Sequence, residues 1–114
     1  MTNRLLLCLF LLLPAAVARA AAGDGEQLFL ANCAECHQGD GRGLPDVYPA
    51  LAGSEVVRGS GLDVALVMLI GRGEMPSFKG SLSAAEIAAI VNYVRNAWGN
   101  EGEAVTAAQI ARLD

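Results

Sequence analysis

Five consecutive residues carry the chemistry of this 114-residue chain. Cys33 and Cys36 have two residues between them and His37 directly after them, the Cys-x-x-Cys-His pattern through which a c-type haem is attached covalently. A two-residue spacer puts both sulfurs on one side of a single helical turn, where each can form a thioether with one vinyl group of the porphyrin. His37 then falls under the iron as an axial ligand through one ring nitrogen. The other nitrogen must donate to an acceptor that sets the tautomer and orientation of the ring. His37 is the only histidine in the chain.

Two other chemistries use the same residue types. A thioredoxin-like redox pair wants Cys-x-x-Cys beside a βαβ pattern, and no alternation of strands and helices is legible here. A zinc site needs a second ligand pair at metal-binding spacing, and no cysteine or histidine follows position 37. Haem attachment is the reading that remains, and it calls for a ligand on the opposite face of the iron. Met75 sits in Gly71-Arg72-Gly73-Glu74-Met75-Pro76-Ser77-Phe78, a loop that can present a thioether and that Pro76 stiffens. Met68 belongs to an apolar helical stretch, where methionine usually fills gaps in a core. Met75 is therefore the candidate, with Met68 and an open site as the competing readings. A His/Met pair occupies both axial positions and favours ferrous iron, which makes the site an outer-sphere one-electron carrier and not an enzyme. The carboxylates Glu35, Asp40, Glu74 and Glu86 read as solvated charges.

Covalent haem attachment takes place outside the cytoplasm in bacteria, and the N-terminus agrees. Arg4 precedes an apolar run from Leu5 to Leu13, Pro14 breaks it, and Ala18-Arg19-Ala20 offers a small-x-small cleavage site. Residues 1–22 are read as a signal peptide cut after Ala20 or Ala22, leaving a periplasmic domain over 23–114. Arg19 interrupts the apolar run before it reaches the ~20 residues of a bilayer span, and Cys8 leaves with the leader. The cleaved chain keeps only Cys33 and Cys36 as cysteines, and losing Arg4 and Arg19 moves its formal charge from −4 to −6. Such a surface disfavours nucleic acid and suits a redox partner with a basic docking patch.

The elements that must position these groups are helical. Asp24 is placed to cap a helix that carries Leu28 and Phe29 into Cys33, with Glu26 near its positive end. Leu62–Ile70 forms a second helix with Asp63 in its first turn and Gly71 at its end. Ser83 and Glu86 form a capping box that opens the longest helix, along which Ile87, Ile90, Val91 and Val94 recur at helical spacing until Gly99-Asn100. Thr106 is placed to cap a last helix over Ala107–Leu113. Between the pentad and the second helix, Gly39–Ser54 reads as a glycine- and proline-rich loop wrapping the haem edge. A domain of about 92 residues buries a modest fraction of its surface, so the cofactor must supply part of the core.

Taken together, the leader, the helix ending in the pentad, Tyr48-Pro49-Ala50-Leu51-Ala52-Gly53, Met75-Pro76 and Asn92-Tyr93-Val94-Arg95 resemble the class I c-type cytochromes over the whole mature chain. The resemblance implies an all-α fold of three to five helices wrapped around one covalently attached haem. Its first and last long helices cross, with Gly25 and Phe29 meeting Ile90 and Tyr93. It also implies that the Pro49 carbonyl, twelve residues beyond His37, accepts the His37 ring proton. The stretch Asn92–Asn100 followed by Val105-Thr106-Ala107-Ala108 is similar to small periplasmic cytochromes and cytochrome subunits serving dehydrogenases and denitrification enzymes, including the short cytochrome beside haem-d-containing nitrite reductase. The implied partners are periplasmic redox proteins, a nitrite reductase or a dehydrogenase among them. The alternative function in that setting is haem-d maturation or ligand sensing. Trp98 is expected to pack beneath the C-terminal tail, the other reading being contact with the haem edge.

Overall fold

The computed structural model describes residues 22–114; the expected leader falls on residues outside these, up to its boundary at Ala22. Among the described residues no helix is long and apolar enough to cross a membrane. The architecture is all-helical: α1 Ala22–Asn32, α2 Ala34–His37, α3 Glu55–Arg58, α4 Gly61–Ile70, α5 Ala84–Val94 and α6 Ala107–Ala111. This exceeds the three to five helices expected, because the haem-attachment pentad and the segment after the loop each add a single turn.

The most extensive helix pair is α1 with α5, and the reason is a glycine. A Cβ on Gly25 would lie 2.9 Å from the Tyr93 Cβ and against the Ala89 carbonyl, so only hydrogen lets the two backbones approach. Gly25 therefore meets Tyr93, as expected, and the Ala89 carbonyl one turn before it. One turn on, fully buried Phe29 packs on Tyr93 with ring centroids 5.5 Å apart. Ile87, Ile90, Val91 and Val94 of α5 are all buried, and they join Val64, Ala65, Met68 and Leu69 of α4 and Ile110 of α6 in one core.

The caps explain most boundaries. Ser83 and Glu86 form the capping box of α5, and Thr106 with Gln109 forms a second one at α6, so in each case two backbone donors at the helix start are satisfied reciprocally. At α4 the Ser60 hydroxyl accepts from the Asp63 N–H. Asp24 lies in the first turn of α1 and not at its cap, where its charge still complements the positive helix end. The last helix stops at Ala111, two residues before Leu113.

Two departures have tertiary causes. α5 ends at Val94, well before Gly99-Asn100, which leaves it no longer than α1. The Val94 carbonyl, which a continuing helix would offer to the Trp98 N–H, accepts instead from the Asn100 side-chain amide at 2.9 Å. The chain then turns through Trp98 at φ 53°. The turn α3 follows from Ser54, whose hydroxyl accepts from the Val57 N–H, and from Arg95. Buried Arg95 donates to the carbonyls of Val57 at 3.0 Å and Gly59 at 2.7 Å, and to that of Glu103. Among the described residues no carboxylate forms an ion pair with it. The guanidinium is satisfied by carbonyls from two segments, and it pins α3 and the 101–105 strand of chain to the end of α5.

Candidate functional site

Cys33 breaks α1 from α2, and the break builds the site. The N–H of Cys33 still closes α1 on the Phe29 carbonyl at 2.8 Å, while the Cys33 carbonyl accepts from the N–H groups of both Cys36 (3.2 Å) and His37 (2.9 Å). This single turn gathers Cys33, Cys36 and His37 into one compact unit. Both thiols are free and half-buried. Burial first, and then the charge of Cys36, pushes the Cys33 thiol up to about 11. A catalytic dithiol needs the opposite shift, because the thiolate is the nucleophile. Cys33 is thus not placed as an attacking thiolate.

His37 is 9% exposed, and its Nδ1 lies 2.9 Å from the Pro49 carbonyl oxygen. A carbonyl can only accept, so Nδ1 carries the proton and Nε2 presents its lone pair. The loop that holds Pro49 is tightly knit. The His37 carbonyl accepts from the Gly43 N–H at 2.9 Å, Leu44 and Tyr48 exchange backbone hydrogen bonds of 2.9 and 2.8 Å, and the N–H groups of Leu51 and Ala52 both donate to the Gly41 carbonyl. Gly43 has φ 62°, and a Cβ there would lie 2.6 Å from the Pro49 carbonyl oxygen. Glycine at 43 thus satisfies a left-handed backbone and leaves room for the acceptor that orients His37.

Met75 lies on the segment following α4. Arg72 and Met75 exchange backbone hydrogen bonds of 3.0 and 2.9 Å, and the Phe78 N–H donates to the Met68 carbonyl at 2.8 Å. The Met75 side chain is half-buried and packs against the core, whereas Met68 is 4% exposed within it. Tyr48 lies on the loop that carries Pro49, its backbone paired with Leu44. Its phenol is pushed up first by charge at Cys36, next by a hydrogen bond to Cys36 and by burial, and then by the charges of Glu74 and Glu35. Glu35, Asp40 and Glu74 are exposed, and Glu86 is spent on its capping box.

These residues fit a covalent haem. Two free thiols share one turn, a histidine with one nitrogen engaged offers the other, and a half-buried thioether is carried on a closed loop. The helix α4 adds a further sign. Its core face is Val64, Ala65, Met68 and Leu69, yet Leu66 and Ile70 are exposed, Ile70 by 68%. A helix that is apolar on two faces needs apolar cover on both, and a flat porphyrin is such cover.

Sequence reasoning missed Asn100 and Arg95, both buried polar residues that hold the loops around the site. Asn100 sits in a Gly-Asn pair that reads as a helix stop, and no local signal gives its distant partners. Trp98 packs on Phe29 and Tyr93, with centroids 5.1 and 5.6 Å apart. A Cβ on Gly41, at φ 68°, would fall 2.7 Å from the indole Cδ2. Packing was the expected role of Trp98, but its surroundings are α1 and the Gly41 turn.

A family model described as "Cytochrome C oxidase, cbb3-type, subunit III" matches residues 20–94. Cytochrome c-552 of Thermus thermophilus is 36% identical, the match covering 86% of this chain and 74% of that protein. The cytochrome c subunit of alcohol dehydrogenase (quinone) from Gluconacetobacter polyoxogenes is 35% identical over 86% of this chain; the chain spans only 24% of the length of that relative. Among solved structures, cytochrome c6 from the diatom Phaeodactylum tricornutum aligns with a TM-score of 0.55 and 33% identity, covering 64% of this chain and 88% of its own. Fold, pentad and relatives agree: the chain belongs to the class I c-type cytochromes, an all-α family that carries a covalently bound haem.

Proposed function

We propose that this protein is a one-electron carrier of the periplasm whose haem is held by thioethers at Cys33 and Cys36 and ligated axially by His37 and Met75. The observation that carries this reading is buried His37 with Nδ1 on the Pro49 carbonyl, directly after two free thiols on the same turn. The haem, once attached, supplies an iron that cycles between ferric and ferrous states. The chain's own residues do the rest. Cys33 and Cys36 fasten the group, Pro49 holds the His37 tautomer and raises the basicity of its Nε2, and Met75 closes the opposite face to exogenous ligands. His37 and Met75 would both be spent on holding the haem, which would supply one-electron chemistry, so the protein itself would be a carrier and not an enzyme.

Its partners are redox proteins of the same compartment. Similarity to cytochrome subunits of alcohol dehydrogenase (quinone) and of gluconate 2-dehydrogenase supports a dehydrogenase as electron donor, ahead of a nitrite reductase. An acidic surface supports a partner with a basic patch. The relatives do not favour the haem-d maturation or ligand-sensing alternative. Residues 1–22 act as an export leader, cut after Ala20 or Ala22, and the domain covers 23–114.

Two measurements on the purified holoprotein test this. Mass spectrometry is expected to show a chain starting at Ala21 or Gly23 with the mass of one haem added; an intact leader in the membrane fraction would replace the soluble carrier with an anchored one. Mixing with a chemical reductant is expected to give fast, reversible reduction, with no spectral change when carbon monoxide is added. Ready carbon monoxide binding by the native ferrous protein would overturn the closed-site carrier and support ligand sensing.

A further inference from the structure

The Pro49 carbonyl is suspended between two clamps. Proline has no N–H to anchor it, so its position depends on the residues to either side. On one side is the Leu44–Tyr48 pair, local in sequence. On the other, the segment Leu51–Gly53 is held by a residue almost fifty positions away. Asn100, 3% exposed, donates from Nδ2 to the Leu51 carbonyl at 3.0 Å and to the Val94 carbonyl at 2.9 Å, and its Oδ1 accepts from the Gly53 N–H at 2.9 Å. One side-chain amide thus ties the acceptor loop to the C-terminal end of α5. Trp98, two residues before it, presses on Gly41, whose carbonyl accepts from both Leu51 and Ala52. Trp98 has φ 53°, a conformation rare for a bulky residue and kept only where surrounding contacts over-determine it.

From this network we infer that Asn100 is a positioning residue for the haem iron. Acting through Leu51 and Gly53, it holds the Pro49 carbonyl on His37 and so sets how strongly the His37 Nδ1–H is bound. This rests on the reading of His37 as the proximal ligand. A firm Nδ1–H···O bond makes the imidazole more basic and favours ferric iron; a slack one favours ferrous iron and raises the reduction potential. The end of α5 is thereby coupled to the electronic state of a ligand that it does not touch.

The test compares holoprotein of the wild type with Asn100→Ala, with the milder Asn100→Ser, and with Ile110→Ala, which weakens the core at α6 without touching this loop. The readouts are the midpoint potential and the exchange rate of the His37 Nδ1 proton, measured by NMR in the ferrous state, with melting temperature as the control for stability. Asn100→Ala and Asn100→Ser are expected to raise the potential and to speed Nδ1 proton exchange several-fold. Ile110→Ala is expected to lower the melting temperature with neither readout moved. If the Asn100 variants lose stability while potential and exchange stay at wild-type values, Asn100 is a structural residue only and the inference is overturned. If exchange speeds equally in Ile110→Ala, the effect is general loosening and the inference is equally overturned. A wild-type chain without covalent haem, read separately by its mass, would instead overturn the proposed function and take this inference with it.

Discussion

Replacing both Cys33 and Cys36 by alanine is expected to leave no haem on the polypeptide after denaturing electrophoresis, with each single replacement sharply lowering the yield of haem-stained protein. The effect is large because attachment is covalent and the described residues offer no other thiol. His37→Ala acts differently. It spares both sulfurs but removes the side chain that sits on the Pro49 carbonyl, so with His37 as the proximal ligand any attached haem is expected to lose the low-spin spectrum. Haem staining checks the first outcome and the visible spectrum the second. Wild-type haem staining in the Cys33→Ala, Cys36→Ala double variant would end the attachment reading.

The second large effect concerns the opposite face of the iron. With Met75 as ligand, the oxidised protein is expected to show the weak near-infrared charge-transfer band of a methionine–iron pair. Met75→His is expected to abolish that band and to lower the potential, since imidazole stabilises ferric iron better than thioether does, within an axial-ligand range of roughly 0.8 V among haem proteins. Met68→Leu is the control. Met68 is a buried core residue, and a volume-conserving exchange there costs less than about 1.5 kcal/mol, leaving band and potential in place. Survival of the band in Met75→His together with its loss in Met68→Leu would reverse the ligand assignment.

The helices that were legible in advance share one property: their signals are local. Ser83 and Glu86 are three residues apart, as are Thr106 and Gln109, and each pair closes its capping box without help from elsewhere. The stripe Ile87, Ile90, Val91 and Val94 is buried as its spacing requires. The turn α3 was not legible, because Glu55-Val56-Val57-Arg58 is too short to stand as an isolated helix and holds two β-branched residues. It exists because Arg95 takes the carbonyls at its end. The C-terminus of α5 was misplaced for a similar reason, since Asn100 captures a carbonyl that the helix would otherwise use.

For the site, the sequence by itself determined the chemistry. Two cysteines and a histidine on one turn, with a methionine on a proline-stiffened loop, name covalent haem and its two candidate ligands, because thioether attachment and axial ligation depend on residue type and short spacing. Only the tertiary structure decided what holds those groups in place. Pro49 was legible through family resemblance, but the glycine that lets its carbonyl approach, the Trp98 turn and the Asn100 amide act across up to 49 residues of chain. A hydrogen bond between distant segments leaves no periodicity or spacing to read, since its partners are backbone carbonyls that every residue possesses, and only folding selects which of them a buried side chain will meet.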